Sequence, residues 1–368
     1  VKAFQRETNL FLQLDTLVSP EEGMLSAVRH FVISLKQGGE MTAVLVTGGA
    51  GYIGSHACKA LAAAGFQPVV YDNLSYGHRS AVRWGPLEIG DIGDGERLRQ
   101  VIRQYDISAV MHFAAFTSVR ESAIDPGKYY RNNVVGTLTL LEAMRDCGIR
   151  HMVFSSTCAT YGIPELVPIP ETAPQRPINP YGESKLIAER MLATFEAAYG
   201  LRWAALRYFN AAGADPDGEI GEDHSPETHL IPLVLDVALG RRDNITVFGR
   251  NYDTPDGTCI RDYIHVSDLA EAHILALRRV MEHDASFALN LGTGEGLSVA
   301  EVIEAARRIT ERPITVAEGK RREGDPPVLV SDTTLSSVLL GWRSHRSDLD
   351  SLIGDAWRWH KRRFKDGT

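Results

Sequence analysis

From Met41 onward the chain alternates short apolar runs with stretches whose apolar residues recur three and four positions apart. Thr42-Ala-Val-Leu-Val-Thr47 reads as a buried strand. It is followed by a helix with Ile53, Ala57, Ala60, Leu61 and Ala64 on one face, stopped at Gly65. Pro68–Asp72 and Leu87–Ile89 are the next two strands. A helix over about 94–105 carries Leu98, Val101, Ile102 and Tyr105 on one side. Ala109–Phe113 is a fourth strand, and a long helix near 126–147 leads to a fifth, His151–Phe154. A helix starting near Pro180 precedes a sixth strand, Arg202–Tyr208. Strands alternating with helices in this way imply a parallel sheet covered on both faces. After Asn210 the rhythm breaks, with Gly, Pro and Asp crowding 213–226 and a second loop-rich stretch at 249–258. The pattern therefore predicts a doubly wound parallel α/β domain over 41–210. A smaller α/β domain over 211–368 follows, with segments packing back on the first.

Residues 1–40 stand outside that rhythm. Ser19, Pro20 and Glu22 can start a helix, Leu25, Val28, Phe31, Val32 and Leu35 continue it, and Gly38-Gly39 stops it. We expect this segment to be an extension outside the core fold; an amphipathic docking helix is the alternative. It lacks the order of basic, apolar and small-residue regions of a secretory signal. No run approaches the roughly 20 apolar residues of a membrane span. The chain has 368 residues and a net charge of −8, which argues against a broad nucleic-acid-binding surface. Cys58, Cys147, Cys158 and Cys259 are widely spaced and form no CxxC pair, so reduced thiols in a cytoplasmic protein are expected.

Thr47-Gly-Gly-Ala-Gly-Tyr-Ile-Gly54 links the first strand to the first helix. Gly48, Gly51 and Gly54 permit a tight turn, close approach of a pyrophosphate and close helix–sheet packing, and the helix N-terminus favours the phosphate charge. Tyr52 and Ile53 lie in the same loop-to-helix turn. Asp72 closes the second strand 18 residues past Gly54, where a carboxylate accepts hydrogen bonds from ribose hydroxyls and repels a 2′-phosphate. These features define a Rossmann-type site that prefers NAD to NADP. Further along, Tyr181 and Lys185 stand four apart at a helix start and share a face. A nearby ammonium favours tyrosinate, which makes the phenol a usable base. Ser155, Ser156 and Thr157 put hydroxyls at the carboxyl edge of the fifth strand, where ligands bind in such sheets.

These segments, together with NNVVGT (132–137), RYFNAAGA (207–214), DGTCIRDYIHVSDLA (256–270), NLGTGEG (290–296) and RREGDPP (321–327), resemble the UDP-glucose 4-epimerases, extended short-chain dehydrogenases/reductases. The resemblance runs from about Val44 to the C-terminal region. It implies Tyr181, Lys185 and Thr157 as the catalytic group. It implies NAD contacts at Gly48, Gly51, Tyr52, Ile53, Gly54, Asp72, Asn73, Asp91, Ile92, Phe113, Ala114, Ala115, Asn132, Ser155, Tyr181, Lys185 and Phe209. A UDP-sugar would meet Thr157, Tyr181, Asn210, His229, Leu230, Phe248, Arg261, Arg322 and Asp325, with the two arginines on the diphosphate and Asp325 on the ribose. The family is usually a homodimer formed through the helices that begin near Asp94 and Pro126 here. Thr117 departs from a lysine that some members carry.

Two enzymatic alternatives bear on this resemblance. A 4,6-dehydratase needs acid and base beside its Thr, but Cys158 and Ala159 follow Thr157. UDP-N-acetylglucosamine is left open because Leu329, at the family's size-gating position, is intermediate in bulk, and no residue named here excludes UDP-xylose or UDP-glucuronate. A non-catalytic NAD sensor would have no need of Tyr181, Lys185 and Thr157 together. His112 and His265 lack partners at metal-ligand spacing, so no metal site is expected. Gly292, Gly294 and Gly296 read as a loop before a helix capped by Ser298 and Glu301.

Overall fold

A computed structural model describes residues 41–283, 285–322 and 324–364; the helix expected between Ser19 and Gly38 lies outside them. The apolar runs form strands β1 (Ala43–Thr47), β2 (Gln67–Asp72), β3 (Leu87–Ile89), β4 (Ile107–His112), β5 (His151–Thr157) and β6 (Arg202–Tyr208). Between them run α1 (Tyr52–Ala63), α2 (Gly95–Gln104), α3 (Val119–Ile124), α4 (Pro126–Tyr129), α5 (Thr137–Asp146) and α6 (Pro180–Tyr199). Strand β1 shows how the sheet sorts its side chains. Val44 and Val46 enter one apolar layer with Ala57 and Leu61 of α1. Ala43 and Leu45 enter the other, with Leu98, Leu140 and Leu192.

The single long helix expected near 126–147 is instead two helices joined by a wider, π-helical turn at Tyr130–Gly136. Asn133 explains the turn. Its side chain receives the Phe116 amide (2.9 Å), donates to the Phe116 carbonyl (2.9 Å) and donates to the Ser184 hydroxyl (3.0 Å). The Thr137 hydroxyl meanwhile donates to the Asn133 carbonyl at 2.6 Å. Such turns recur at functional sites, and this one braces the loop after β4 against α6.

Beyond Asn210 the chain forms β7 (Asn210–Ala212), α7 (Leu230–Ala238), β8 (Ile245–Phe248), β9 (Ile260–Arg261) and β10 (Tyr263–His265). Then come α8 (Val266–Glu282), β11 (Phe287–Leu291), β12 (Leu297–Ser298), α9 (Val299–Thr310), β13 (Val316–Gly319), β14 (Val328–Leu329), α10 (Thr334–Leu340) and α11 (Leu349–Phe364). Strand β11 returns to the main sheet and completes a seven-stranded parallel order, β11-β6-β5-β4-β1-β2-β3. Helix α8 covers the same face as α1 through Leu269, Ala276 and Leu277. Helices α7, α9 and α11 enclose a separate core around Leu235, Val302, Ile353 and Trp357. No described helix is long and apolar enough to cross a membrane, and all four cysteines are free.

Helix α9 opens with the expected capping box. The Ser298 hydroxyl accepts from the Glu301 amide at 3.0 Å, and the Glu301 carboxylate accepts from the Ser298 amide at 2.7 Å. Replacing Ser298 by Ala is expected to cost about 1 kcal/mol of stability. An unchanged urea midpoint in that variant would contradict the assignment of the cap.

Candidate active site

The groove at the carboxyl edge of the sheet begins with the glycine loop. Gly48 has φ +74°, and a Cβ there would lie 2.6 Å from the Ala114 amide nitrogen. A Cβ on Gly54 would collide with the Gly48 carbonyl. Only glycine lets the turn close so tightly. Helix α1 starts at Gly51 with no side-chain cap and no acidic residue in its first turn. Its uncapped amides and positive dipole end suit an anionic group. The side chains of Tyr52 and Ile53 do not face that opening. The Tyr52 hydroxyl donates to the Gly213 carbonyl at 2.7 Å, and Ile53 packs against the apolar layer. What the two residues offer a phosphate is their backbone.

Asp72 is buried at the end of β2. Its carboxylate receives the Ala50 amide at 3.0 Å and the Leu74 amide at 2.8 Å. Burial raises its pKa, and the two amides oppose that rise. Each oxygen keeps a lone pair for a ribose hydroxyl. The Asn73 amide donates to Asp91 at 2.8 Å, and the other Asp91 oxygen receives the Gly93 amide at 2.8 Å. Ile92 packs against Gly136, where a Cβ would come within 2.6 Å of it. The Phe113 and Ala114 amides both donate to the Thr47 carbonyl, so the turn after β4 rests on the glycine loop. Ala115 follows in that turn, and the Asn132 amide donates to Asn133 at 2.9 Å. The glycine loop thus meets Asp72 through the Ala50 amide and Ala114 through Gly48, at the uncapped start of α1, a fit for a dinucleotide.

Asn179 caps α6 by accepting from the Gly182 amide at 2.8 Å, which fixes the first turn, with Tyr181 in it and Lys185 in the next. The Lys185 ammonium donates to the Ser155 carbonyl at 2.8 Å. The Thr157 hydroxyl hydrogen-bonds the Tyr181 phenol, and Ser155 hydrogen-bonds the Tyr208 hydroxyl. The expectation that Lys185 lowers the Tyr181 pKa needs correction for the protein alone. Burial pushes Tyr181 up to about 12 against the Thr157 hydrogen bond. Burial also draws Lys185 down to about 7, although the Glu189 carboxylate supports its charge. The same desolvation disfavours both charged forms.

Behind these groups lies a buried ion pair. Arg207 on β6 donates to both oxygens of Glu189 on α6, at 3.0 and 2.7 Å. Ser156 hydrogen-bonds the same carboxylate, and the Tyr161 hydroxyl bridges Arg207 to Asn290 of β11 at 3.0 and 2.7 Å. The motif reading quoted Arg207 inside a family segment without giving it a role; its partner Glu189 carried no local signal. Replacing Glu189 by Gln is expected to lower stability by about 2 kcal/mol, because Arg207 loses a charged acceptor in a buried site. Chemical denaturation would show it, and an unchanged midpoint would contradict it.

Further along the chain, Arg261 and Asp325 meet directly, with the guanidinium donating to the carboxylate at 2.6 Å. Tyr252 reaches the other Asp325 oxygen at 3.3 Å. Arg322 lies 4.1 Å above the Phe248 ring, a cation–π contact. The Asn210 side chain donates to the Asp262 carbonyl at 3.0 Å, and Phe209 sits half-buried between β6 and β7. Asn210, His229 and Leu230 line one pocket together with Glu222 and Tyr263. Leu329 on β14 pairs with Arg261 on β9.

His112 and His265 are core groups. His112 bonds the Thr47 and Thr137 hydroxyls at 2.6 and 2.9 Å, and His265 caps α8 through the Ser267 amide at 3.1 Å. The motif reading missed another set. Glu222, His224, Glu227 and His229 bring four donor atoms within 4.8 Å of one another. Their interleaved sequence, Glu-x-His-x-x-Glu-x-His, was the available signal.

A seven-stranded dinucleotide-type sheet, an uncapped glycine turn with a strand-end acid, and a Tyr–Lys–Thr group define an NAD-dependent enzyme of the short-chain dehydrogenase/reductase type. Residues 44–292 match the NAD dependent epimerase/dehydratase family, to which the chain belongs. Within that family it belongs with the UDP-glucose 4-epimerases. It is 54% identical over 324 residues to the UDP-glucose 4-epimerase of Rhizobium meliloti, covering 88% of this chain and 98% of the relative. A solved UDP-glucose 4-epimerase from Brucella ovis in complex with NAD is 56% identical, with a TM-score of 0.85 over 86% of this chain and 97% of that one. That from Stenotrophomonas maltophila, with bound NAD and formylated UDP-arabinopyranose, is 40% identical, with a TM-score of 0.85 over 89% and 99%.

Proposed function

We propose that the chain interconverts UDP-galactose and UDP-glucose, with Tyr181 as the acid–base residue. The observation that carries this is the Thr157–Tyr181–Lys185 arrangement at the sheet edge that also holds the glycine turn and Asp72. When bound, NAD supplies the carbon that takes and returns the hydride of sugar C4. Tyr181 removes the 4-hydroxyl proton and later gives it back. Thr157 hydrogen-bonds the phenol and the 4-oxygen. Lys185, held by the Ser155 carbonyl, would support the negative charge of the phenolate. For C4 to invert with no net redox change, the pocket would have to let the 4-keto sugar turn over between the two proton transfers at Tyr181.

Gly48, Gly51 and Gly54, the backbone of Tyr52 and Ile53, Asp72, Asn73, Asp91, Ile92, Phe113, Ala114, Ala115, Asn132, Ser155, Tyr181, Lys185 and Phe209 are our proposed NAD contacts. For the UDP portion we propose Asn210, His229, Leu230, Phe248, Arg261, Arg322 and Asp325. Two arginines suit a diphosphate, and substrate ribose would compete with Arg261 for Asp325. We also take the chain to be a cytoplasmic homodimer. Exposed Val119, Ile124, Tyr130 and Val135 support a dimer face, and light scattering at twice the 40.5 kDa chain mass would test it.

The direct assay incubates the purified chain with UDP-galactose and no added NAD. Formation of UDP-glucose without net NADH is the expected result. No conversion, even with NAD supplied, would overturn the substrate assignment.

A further inference from the structure

We propose that Glu222, His224, Glu227 and His229 form a four-ligand site for a divalent transition-metal ion of the zinc class, tying the segment after β7 to the start of α7. The donor set is two imidazole nitrogens and two carboxylates, which suits zinc. A tetrahedral ion with bonds of about 2.1 Å has ligand–ligand edges of about 3.4 Å. The His224 Nδ1 lies 3.2 Å from Glu222 and 3.5 Å from Glu227. The His229 Nδ1 lies 2.7 Å from Glu222 and 3.1 Å from Glu227. Both imidazoles thus turn Nδ1 toward the same two carboxylates, which leaves the other ring nitrogen and the backbone of His229 for the UDP contact proposed above.

The His224 Nδ1 is buried and, despite those distances, has no hydrogen bond of acceptable geometry. Two carboxylates flank it at similar distances, and neither is a single bonded partner. The supporting shell is also in place. Glu227 is oriented by the Thr228 and His229 amides at 2.6 and 2.8 Å. The Glu222 carbonyl accepts from the Trp359 indole of α11 at 3.3 Å. Partners of this kind fix ligand orientation.

A nearby acidic cluster shows the contrast. Asp215, Asp217 and Glu219 surround the Lys59 ammonium at 2.7, 2.7 and 2.9 Å, so that centre is already filled by a side chain.

The test uses the full chain purified without a metal-affinity tag. Elemental analysis after desalting is expected to find about one zinc per chain, and a chelator is expected to lower the Tm, with zinc restoring it. The variants His224→Gln and Glu227→Gln should each weaken zinc binding at least roughly tenfold and abolish the zinc-dependent Tm shift, with bound NAD retained. Asp217→Asn should keep both the metal and the shift. Sub-stoichiometric metal in the wild-type chain, with a Tm indifferent to chelator and to added zinc, would overturn the site. So would zinc retained at full affinity in both ligand variants.

Discussion

Replacing Tyr181 by Phe is expected to lower kcat by about 10³-fold, the scale of a lost acid–base group, while the purified protein keeps its NAD. The substitution removes one oxygen and keeps the ring. Tyr181 lies in the first turn of α6, whose cap at Asn179 is unaffected. Thr157 still holds the Ala159 amide at 3.1 Å, so the strand end is not disturbed. In the protein alone burial holds the phenol at about 12 and Lys185 at about 7. Each unit by which the phenol must be lowered requires about 1.4 kcal/mol. The Thr157 hydrogen bond, the Lys185 charge and the positive nicotinamide of bound NAD are the available sources. Lys185→Met should therefore move the rising limb of the kcat–pH profile to higher pH as well as lower its height. A near-normal rate for Tyr181→Phe would remove the phenol from the chemistry.

The second large effect is acid lability. His56, His112 and His273 are fully buried, and burial depresses their pKa values to about 4, 3 and 4. In the unfolded chain a histidine titrates near 6.5. Below that value the unfolded state binds protons that the native state refuses. Stability is therefore fully present above about pH 6.5 and is lost as pH falls towards 4, by up to about 1.4 kcal/mol per pH unit for each histidine. Three together approach about 4 kcal/mol per unit. Thermal unfolding from pH 8 to pH 5 should show a steepening fall in Tm, with two to three protons taken up on unfolding near pH 5. A flat profile would mean that one or more of these imidazoles is charged in the fold.

Much of this could be read along the chain because the responsible chemistry is local. A glycine triplet between a strand and a helix, an acid at the next strand end, and Tyr and Lys four apart on a capped helix each carry their own signal. Ser298 and Glu301 did so for the α9 cap. Other features depend on distant partners. Phe287–Leu291 is too short and mixed to declare itself, and it becomes a strand because β6 offers an open edge. The π-helical turn at 130–136 follows from what Asn133 reaches across the fold. The shifts at Tyr181 and Lys185 come from burial, which spacing does not reveal. The Arg261–Asp325 pair joins residues 64 apart in sequence. His224 and His229 were legible as an interleaved Glu and His segment, but that segment acquires meaning only when the loop folds its two carboxylates inward.

The most direct test of the central claim is the fate of the hydrogen at sugar C4. The purified chain would be incubated in ordinary water with UDP-galactose deuterated at C4, with no NAD added, and the product examined by mass spectrometry and NMR. Deuterium retained at C4 of UDP-glucose is the expected result, because the hydride leaves and returns within one closed site. Hydrogen from solvent at that carbon would contradict the account.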